Sequence, residues 1–152
     1  MGVPGLAHGL TTRAHGSIGP RHEAAARAAR AAAVASLDGR PEALVAPHQV
    51  HGARIAVVGQ EDAGGVVPDA DGLVTAEDRL PLMVQGADCP LLLLVADDAR
   101  ALAVVHSGWR GTVARIAAAA VDALAGLSAV PATLHAAIFP GIGPCCFEVG
   151  PE

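Results

Sequence analysis

The stretch QGADCPLLLLVADDARALAVVHSGWRG, residues 85–111, decides the fold. Two apolar runs, residues 91–95 and 101–105, flank the short turn DDAR at residues 97–100, and this pattern predicts a β-hairpin. Cys89 precedes the first strand and His106 follows the second. The two free ends of an antiparallel pair lie side by side. The sequence therefore predicts that a thiol and an imidazole meet at the open end of this hairpin.

The rest of the chain predicts short strands and two helices. Apolar segments at residues 9–13, 44–46, 53–58, 73–75, 80–84 and 133–139 are expected as strands. The alanine-rich segment 21–37 predicts a surface helix that ends at Asp38-Gly39. Thr112 is expected to cap a second helix that runs to residue 125. Its predicted buried face comprises Val113, Ile116, Ala117, Ala120, Val121 and Leu124. The expected class is α+β, with helices packed on a mixed, largely antiparallel sheet.

Length and composition narrow the class of protein. The chain has 152 residues, of which 52% are hydrophobic, and its net charge is −5. This length supports one domain with a real core. The acidic balance and 2% aromatic content disfavour nucleic-acid binding, and no apolar run has the length of a membrane span. A lone cysteine and one adjacent pair do not make a disulfide framework, so we expect a reduced, cytoplasmic protein.

A second histidine is expected to join Cys89 and His106. His48 and His51 are three residues apart, so in an extended strand they face opposite sides, and spacing does not choose between them. Two imidazoles and a thiolate suit a metal site with an open fourth position. The same residues also suit a thiol nucleophile with His106 as its base. An inert buried cysteine is the third possibility.

Two further features carry predictions. Arg110 stands between Gly108 and Gly111, just before the helix expected at Thr112, where free N–H groups would help to bind an anion; the alternative is a surface arginine. Cys145 and Cys146 are adjacent. In an extended chain their side chains would point in opposite directions, so we expect neither a disulfide between them nor a metal site.

Five motifs occur in order along the chain. They are QVHG at 49–52, DADGLVT at 69–75, ADCP at 87–90, HSGWRGT at 106–112 and GIGPCCFEVG at 141–150. Together they resemble the laccase-domain family, first described as multicopper polyphenol oxidases and then as purine nucleoside phosphorylases. TTR at 11–13 is similar to an N-terminal element of the same family. The resemblance implies a layered α/β sandwich over residues 1–152, a single laccase-like domain that lacks the C-terminal part of the family domain.

The resemblance also implies a site. The family's metal ligands correspond to His51, Cys89 and His106, with zinc as the ion and copper as the alternative. Cys89, His106 and Asp88 would act in catalysis. Asp88 is next to the ligand Cys89, where it would support the metal ligands from outside or transfer a proton. Arg110 and Arg13 would bind phosphate or another part of the substrate. His15 stands where the family usually has a glycine.

The implied function is that of a zinc-dependent purine nucleoside phosphorylase with adenosine deaminase and methylthioadenosine phosphorylase activity. Its partners would be a purine nucleoside and phosphate, with neither nucleic acid nor membrane. One alternative is a copper-dependent polyphenol oxidase. Another is a hydrolase or cell-wall precursor editing enzyme that uses Cys89 as its nucleophile. A non-catalytic metal-binding or interaction fragment is the alternative from another class.

Overall fold

A computed structural model describes residues 3–16, 18 and 23–148. Its strands are β1 (Ala46–Pro47), β2 (Ile55–Val57), β3 (Val66–Val67), β4 (Gly72–Thr75), β5 (Leu91–Val95), β6 (Leu102–His106) and β7 (His135–Ile138). Its helices are α1 (Glu23–Ala35), α2 (Trp109–Val113) and α3 (Ile116–Gly126). Short 3₁₀ turns occupy Arg13–His15, Pro41–Ala43, Gln60–Asp62 and Pro131–Thr133. The fold is α+β, as predicted.

The main sheet has five strands in the order β2-β4-β6-β5-β7. The β2 and β4 strands are parallel, and every other neighbouring pair in this sheet is antiparallel. A second, two-stranded parallel sheet joins β1 to β3. The mixed, largely antiparallel character of the predicted sheet is therefore confirmed.

Both faces of the main sheet are covered. On one face α3 packs through three fully buried side chains, Ile116, Ala120 and Leu124, against Val74 and Val105 of the sheet. The opposite face is covered by other segments. These contacts involve Val3, Val45, Val58, Leu73, Leu80, Leu93 and Val95. Alternation along the strands explains this division, because successive side chains point to opposite faces. The short β4 strand is buried along its whole length.

The central hairpin forms as the sequence predicts. Its strands pair from Leu91 with His106 to Val95 with Leu102. At the open end, the Ser107 N–H donates to the Pro90 carbonyl at 2.9 Å. This bond extends the pairing past the last strand residues. The open end of the hairpin therefore brings the segments that carry Cys89 and His106 together.

Three predictions about local structure are wrong. Residues 9–13 form no strand, because the Thr12 N–H bonds locally to Nδ1 of His15 at 3.0 Å in a 3₁₀ turn. Thr112 does not begin a helix, because α2 begins at Trp109 and the Thr112 N–H already donates to the Gly108 carbonyl at 2.8 Å. Arg115, with φ of 63°, separates α2 from α3, and this break leaves Val113 of the predicted buried face 76% exposed.

The helix predicted at residues 21–37 and the strands predicted at 53–58 and 133–139 form with shorter bounds. The strands expected at 44–46 and 73–75 appear as Ala46–Pro47 and Gly72–Thr75. The alanine-rich helix appears as α1 and ends before Asp38, which adopts a left-handed conformation with φ of 56°. Its predicted first residues, 21 and 22, lie outside the described residues. The run at residues 80–84 contributes only an isolated bridge from Leu82 to Val45. Among the described residues, no helix is long and apolar enough to cross a membrane.

Gly111 of α2 is expected to tolerate no side chain. A Cβ atom there would lie 2.5 Å from the Gly52 carbonyl oxygen, so Gly111→Ala should lower the free energy of unfolding by about 1–3 kcal/mol through overpacking. Gly126→Ala is the matched control, because nothing lies within 4 Å of its Cβ position. Alanine in a helix is favoured over glycine by up to about 1 kcal/mol. Urea unfolding of both variants measures the difference, and equal stabilities would contradict this packing.

Candidate metal centre

Three side chains converge at the open end of the hairpin. His106 is the last residue of β6, Cys89 precedes β5, and His51 lies in the loop between β1 and β2. The nitrogen and sulfur atoms that they offer all lie within 4.8 Å of one another. The two imidazole rings meet edge to face, with centroids 4.8 Å apart and an interplanar angle of 90°. The structure therefore brings together the two imidazoles and the thiol predicted to form one site.

A buried carboxylate holds two of these residues. The side chain of Asp71, just before β4, is completely buried, and its Oδ1 lies 2.8 Å from Nδ1 of His106. The same carboxylate accepts backbone N–H bonds from Val50 at 3.2 Å, His51 at 3.0 Å and Gly52 at 2.7 Å. The loop curls round these acceptors, and His51 takes a left-handed conformation with φ of 60°. Asp71 thus fixes the positions of both histidines.

Asp71 also determines the chemical form of His106. Burial by itself raises the pKa of Asp71, but bonds from His106, Gly52 and Val50 outweigh burial, and the net pKa is lowered. The carboxylate is therefore ionised, so Nδ1 of His106 donates to it. The Nε2 nitrogen is then the ring atom left for a ligand. A metal-binding histidine commonly uses one ring nitrogen for the ion and donates the other N–H to a carboxylate.

Gly108 leaves the space in which the three side chains meet. A Cβ atom on Gly108 would lie 3.1 Å from Cδ2 of His51, 3.3 Å from Cε1 of His106 and 3.6 Å from Sγ of Cys89. Gly108 is also the residue that precedes α2. Next to it, the Thr112 hydroxyl bonds to the Gly108 carbonyl at 3.0 Å and lies 2.8 Å from the Ser107 hydroxyl. These bonds hold the turn so that its smallest residue faces the site.

Gln49 joins the histidine loop to the cysteine loop. Its carboxamide donates from Nε2 to the Gln85 carbonyl at 2.7 Å and accepts from the Gln85 N–H at 2.8 Å. A side-chain amide can copy a backbone group in this way because it offers both a donor and an acceptor. The pair of bonds ties residue 49, two positions before His51, to the segment that leads to Cys89.

The environment of Cys89 favours the neutral thiol. Burial is the largest cause that raises the pKa of Cys89, and the negative charges of Asp88 and Asp71 raise it further. A nucleophilic cysteine usually has the opposite surroundings, because a nearby cation or a helix N-terminus lowers its pKa. A cation beside Cys89 would offset these effects and stabilise its thiolate form.

A cleft of about 480 Å³ opens over the site. It is lined by Ile18, Gln49, His51, Gln85, Gly86, Ala87, Asp88, Cys89 and His106. Its size lies within the range of small-molecule pockets, roughly 300–1,000 Å³. A larger hollow of about 1150 Å³ adjoins this cleft, because Ile18, Gln85 and Gly86 line both, but it is lined by none of the three converging residues. The smaller cleft is therefore the one in which a substrate would reach the site.

The other predicted site residues lie at different distances from this centre. The side chain of Asp88 is exposed and lines the cleft. Arg110 is exposed in α2, with its guanidinium carbon 4.5 Å from the centre of the Trp109 ring. Arg13 is exposed in the first 3₁₀ turn, and neither arginine lines the cleft. His48 lies outside the cluster and pairs with Asp69 at 3.3 Å.

Two physical reasons given for these predictions are wrong. The helix expected to begin at Thr112 begins at Trp109, so Arg110 lies inside the first turn of α2 and does not precede the helix. The opposite orientation expected of Cys145 and Cys146 is also wrong, since their sulfur atoms lie 3.2 Å apart. Both cysteines are nevertheless free thiols, and neither belongs to the cluster of possible metal ligands.

The comparisons with known proteins identify the family. Residues 13–152 match the family model described as multi-copper polyphenol oxidoreductase laccase. The chain belongs to this family. The adenosine deaminase RL5 of an unknown prokaryotic organism is 38% identical over 116 residues, which cover 72% of this chain and 44% of RL5. The purine nucleoside phosphorylase SCO2081 of Streptomyces coelicolor is 41% identical over 128 residues, which cover 84% of this chain and 53% of that protein.

A solved structure of the family has the same fold. The crystal structure of YlmD from Geobacillus stearothermophilus superposes with a TM-score of 0.79 and 33% sequence identity, over 86% of this chain and 52% of YlmD. The chain thus spans about half the length of these laccase-family relatives. The sheet and the cluster of His51, Cys89 and His106 lie within residues 13–152, which the family model matches.

Asp71→Asn should weaken metal binding at this cluster by about 10–100-fold, the usual cost of losing the outer partner of a metal ligand. The amide would present a donor towards N–H groups that now meet an acceptor, and it would no longer hold His106 in one tautomer. Asp69→Asn is the matched control, because the Asp69 side chain is 75% exposed and pairs only loosely with His48. Competition with a chromophoric chelator measures both affinities. Equal affinities in the two variants would contradict the role of Asp71.

Proposed function

We propose that this chain carries the active site of a zinc-dependent purine nucleoside phosphorylase that also deaminates adenosine and accepts methylthioadenosine. The observation that supports this most directly is the convergence of His51, Cys89 and His106 on a small-molecule cleft. The similarity of the chain to proteins named purine nucleoside phosphorylase and adenosine deaminase supports purine nucleosides as the substrate class.

The donor set fits zinc. Two imidazoles and one thiolate are preferred zinc ligands, and three protein ligands leave the fourth tetrahedral position open. The ligand atoms of the three side chains lie within 4.8 Å of one another, and Gly108 places no side chain against them. When bound, zinc would supply a Lewis acid towards a water molecule or a substrate atom at that open position. Copper is the alternative ion, because two histidines and one cysteine are also a known copper donor set.

The chain's own residues have separate tasks in this proposal. Asp71 keeps His106 in one tautomer and holds the His51 loop through backbone N–H groups. Gln49 keeps the two sides of the cleft at a fixed separation by its paired bonds to Gln85. Asp88 places a carboxylate in the wall of the cleft, where it can take a proton from a purine or return one.

A thiol enzyme is the second candidate because the same atoms form a possible triad. Cys89 lies beside His106, and Asp71 orients His106 through Nδ1 at 2.8 Å. Nucleophile, base and orienting carboxylate are the parts that thiol hydrolases use. The raised pKa of Cys89 opposes this reading, since burial and two carboxylates stabilise the unreactive thiol.

Metal analysis combined with activity assays tests the proposed function. Protein purified without added metal should contain about one zinc per chain, the number expected for one three-ligand site. It should cleave inosine, adenosine and methylthioadenosine with phosphate and should deaminate adenosine. A chelator should abolish turnover, and zinc should restore it. His51→Ala should lose zinc and turnover, whereas His48→Ala should keep both, because His48 lies outside the cluster.

Each alternative has its own outcome in the same assays. Turnover that survives metal removal but is lost in Cys89→Ser would identify the thiol enzyme. Copper at the site with oxidation of phenols would identify a polyphenol oxidase. Bound metal without any turnover would identify the chain as a non-catalytic metal-binding module.

We propose further that Arg110, which lies in the first turn of α2, holds phosphate. It is two residues from Gly108, where a Cβ atom would lie within 3.6 Å of all three candidate ligands, and a guanidinium can grip an oxyanion with two parallel bonds. Arg110→Lys should weaken apparent phosphate affinity about ten- to a hundred-fold, since a charge-assisted bond is worth roughly 1.5–3 kcal/mol. Arg115→Lys, at another exposed arginine, is the control.

Phosphorolysis rates against phosphate concentration, with zinc content measured in parallel, decide this prediction. If the rate of Arg110→Lys depends on phosphate concentration as in the wild type, phosphate binds elsewhere, and Arg13 is the next candidate. Zinc content should stay the same, because Arg110 is not a ligand.

A further inference from the structure

Cys145 and Cys146 form an exposed dithiol that the proposed activity does not use. Both side chains are exposed and both are free thiols. Their sulfur atoms lie 3.2 Å apart, although neighbouring side chains on an extended strand point in opposite directions. Two thiols side by side can act together on one ligand, whereas a single surface cysteine cannot.

A tight turn produces this arrangement. The Cys146 N–H donates to the Gly143 carbonyl at 3.0 Å, which closes a turn over residues 143–146. Pro144 occupies the second position, where its fixed φ favours this kind of turn. Cys145 and Cys146 then take the third and fourth positions. The chain bends between them, so their side chains leave on the same side.

The loop that carries the turn is braced against the rest of the protein. The Ile142 N–H donates to the Asp88 carbonyl at 2.7 Å. A Cβ atom on Gly141 would lie 2.9 Å from that carbonyl oxygen and 3.1 Å from Pro90, so the loop backbone packs directly on the segment around residue 88. The two thiols are therefore presented from a supported loop.

We propose that Cys145 and Cys146 form a two-thiol chelating site for trivalent arsenic, in inorganic or organic form. Soft thiolates select soft ions, and the spacing narrows the choice. An ion bonded to two sulfur atoms at about 2.3 Å, the Zn–S length, holds them about 3.8 Å apart when the sulfur–ion–sulfur angle is tetrahedral. At a right angle the two sulfur atoms lie about 3.3 Å apart. The observed 3.2 Å separation fits the near-right angles of pyramidal trivalent arsenic.

The backbone keeps the pair available as thiols. Adjacent Cα atoms are about 3.8 Å apart across a trans peptide, closer than the roughly 4.4–6.8 Å found in most disulfides. A disulfide between these neighbours would be strained and easily reduced. The hydrogen bond with Cys145 raises the pKa of Cys146, so a smaller share of Cys146 is present as the thiolate, the form that reacts with oxidants.

The binding reaction is a condensation without redox change. An organoarsenic oxide, R–As=O, reacts with the two thiols to give R–As bonded to both sulfur atoms and one molecule of water. Two S–H bonds and the As=O bond break, and two As–S bonds form. Both thiol protons leave in the water molecule, and arsenic remains trivalent.

Phenylarsine oxide, followed by intact-mass measurement, tests the site. Wild type should gain one phenylarsenic group, and the adduct should survive an excess of a monothiol such as 2-mercaptoethanol. Dithiothreitol, which offers two thiols, should remove it. Cys145→Ser and Cys146→Ser should each lose the monothiol-resistant adduct, because one remaining thiol gives only a displaceable bond. Cys89→Ser, which lacks the third cysteine, should keep it.

Two results would overturn the proposal. One is a monothiol-resistant adduct that persists in Cys145→Ser or Cys146→Ser. The other is an adduct lost in Cys89→Ser but kept in the two loop variants, which would place arsenic at the His51, Cys89 and His106 cluster. A circular dichroism spectrum and a free-thiol count on each variant establish that the loop variants are folded and carry two thiols.

Discussion

The buried carboxylate of Asp71 is the interaction on which the site depends. It receives four bonds from two parts of the chain, three from the backbone of residues 50–52 and one from the His106 ring. The backbone carbonyl of Asp71 also accepts a hydrogen bond from the backbone N–H of His106 at 2.7 Å. A buried charge is tolerated only when such partners are present. The loop containing His51 and the end of β6 are therefore fixed relative to each other by the same group.

Close backbone approach at two glycines makes this arrangement possible. Gly108 leaves open the space between the three candidate ligands, and Gly111 lets α2 contact the carbonyl of Gly52. Both residues belong to the turn and short helix that follow β6. The path from β6 into α2 therefore positions a candidate ligand, keeps a side chain away from the three candidate ligands and packs against the neighbouring histidine loop. This requirement explains why two small residues stand close together in HSGWRG.

The sequence predicts the part of the site that depends on strand pairing. Cys89 and His106 follow from the hairpin because pairing fixes which ends meet. His51 could be chosen over His48 only from the family resemblance. The spacing argument assumed that both histidines lie in an extended strand, whereas His51 adopts a left-handed conformation. Asp71 and Gln49 were missed because their main partners are backbone groups, which no side-chain pattern displays. The DADG motif contained Asp71, and an acidic residue just before a buried strand was the available signal.

Local errors have a common cause, which is the chain changing direction where a regular element was expected. The left-handed Arg115 divides one predicted helix into α2 and α3, so helical spacing measured across it assigned Val113 to the wrong face. The turn begun by Gly143 and Pro144 reverses the expected orientation of the two neighbouring cysteines. Periodicity describes the interior of an element but does not reveal a single residue that ends it.

Charge separates the two chemistries that the same three residues could perform. Burial and the carboxylates of Asp88 and Asp71 raise the pKa of Cys89, which disfavours a thiolate that stands alone as a nucleophile. A bound dication would reverse the sign of this effect, because it stabilises the thiolate directly and is itself stabilised by both carboxylates. The groups that oppose a free thiolate are therefore those that favour a thiolate bound to a cation. This electrostatic arrangement is the physical reason to prefer a metal centre over a cysteine nucleophile.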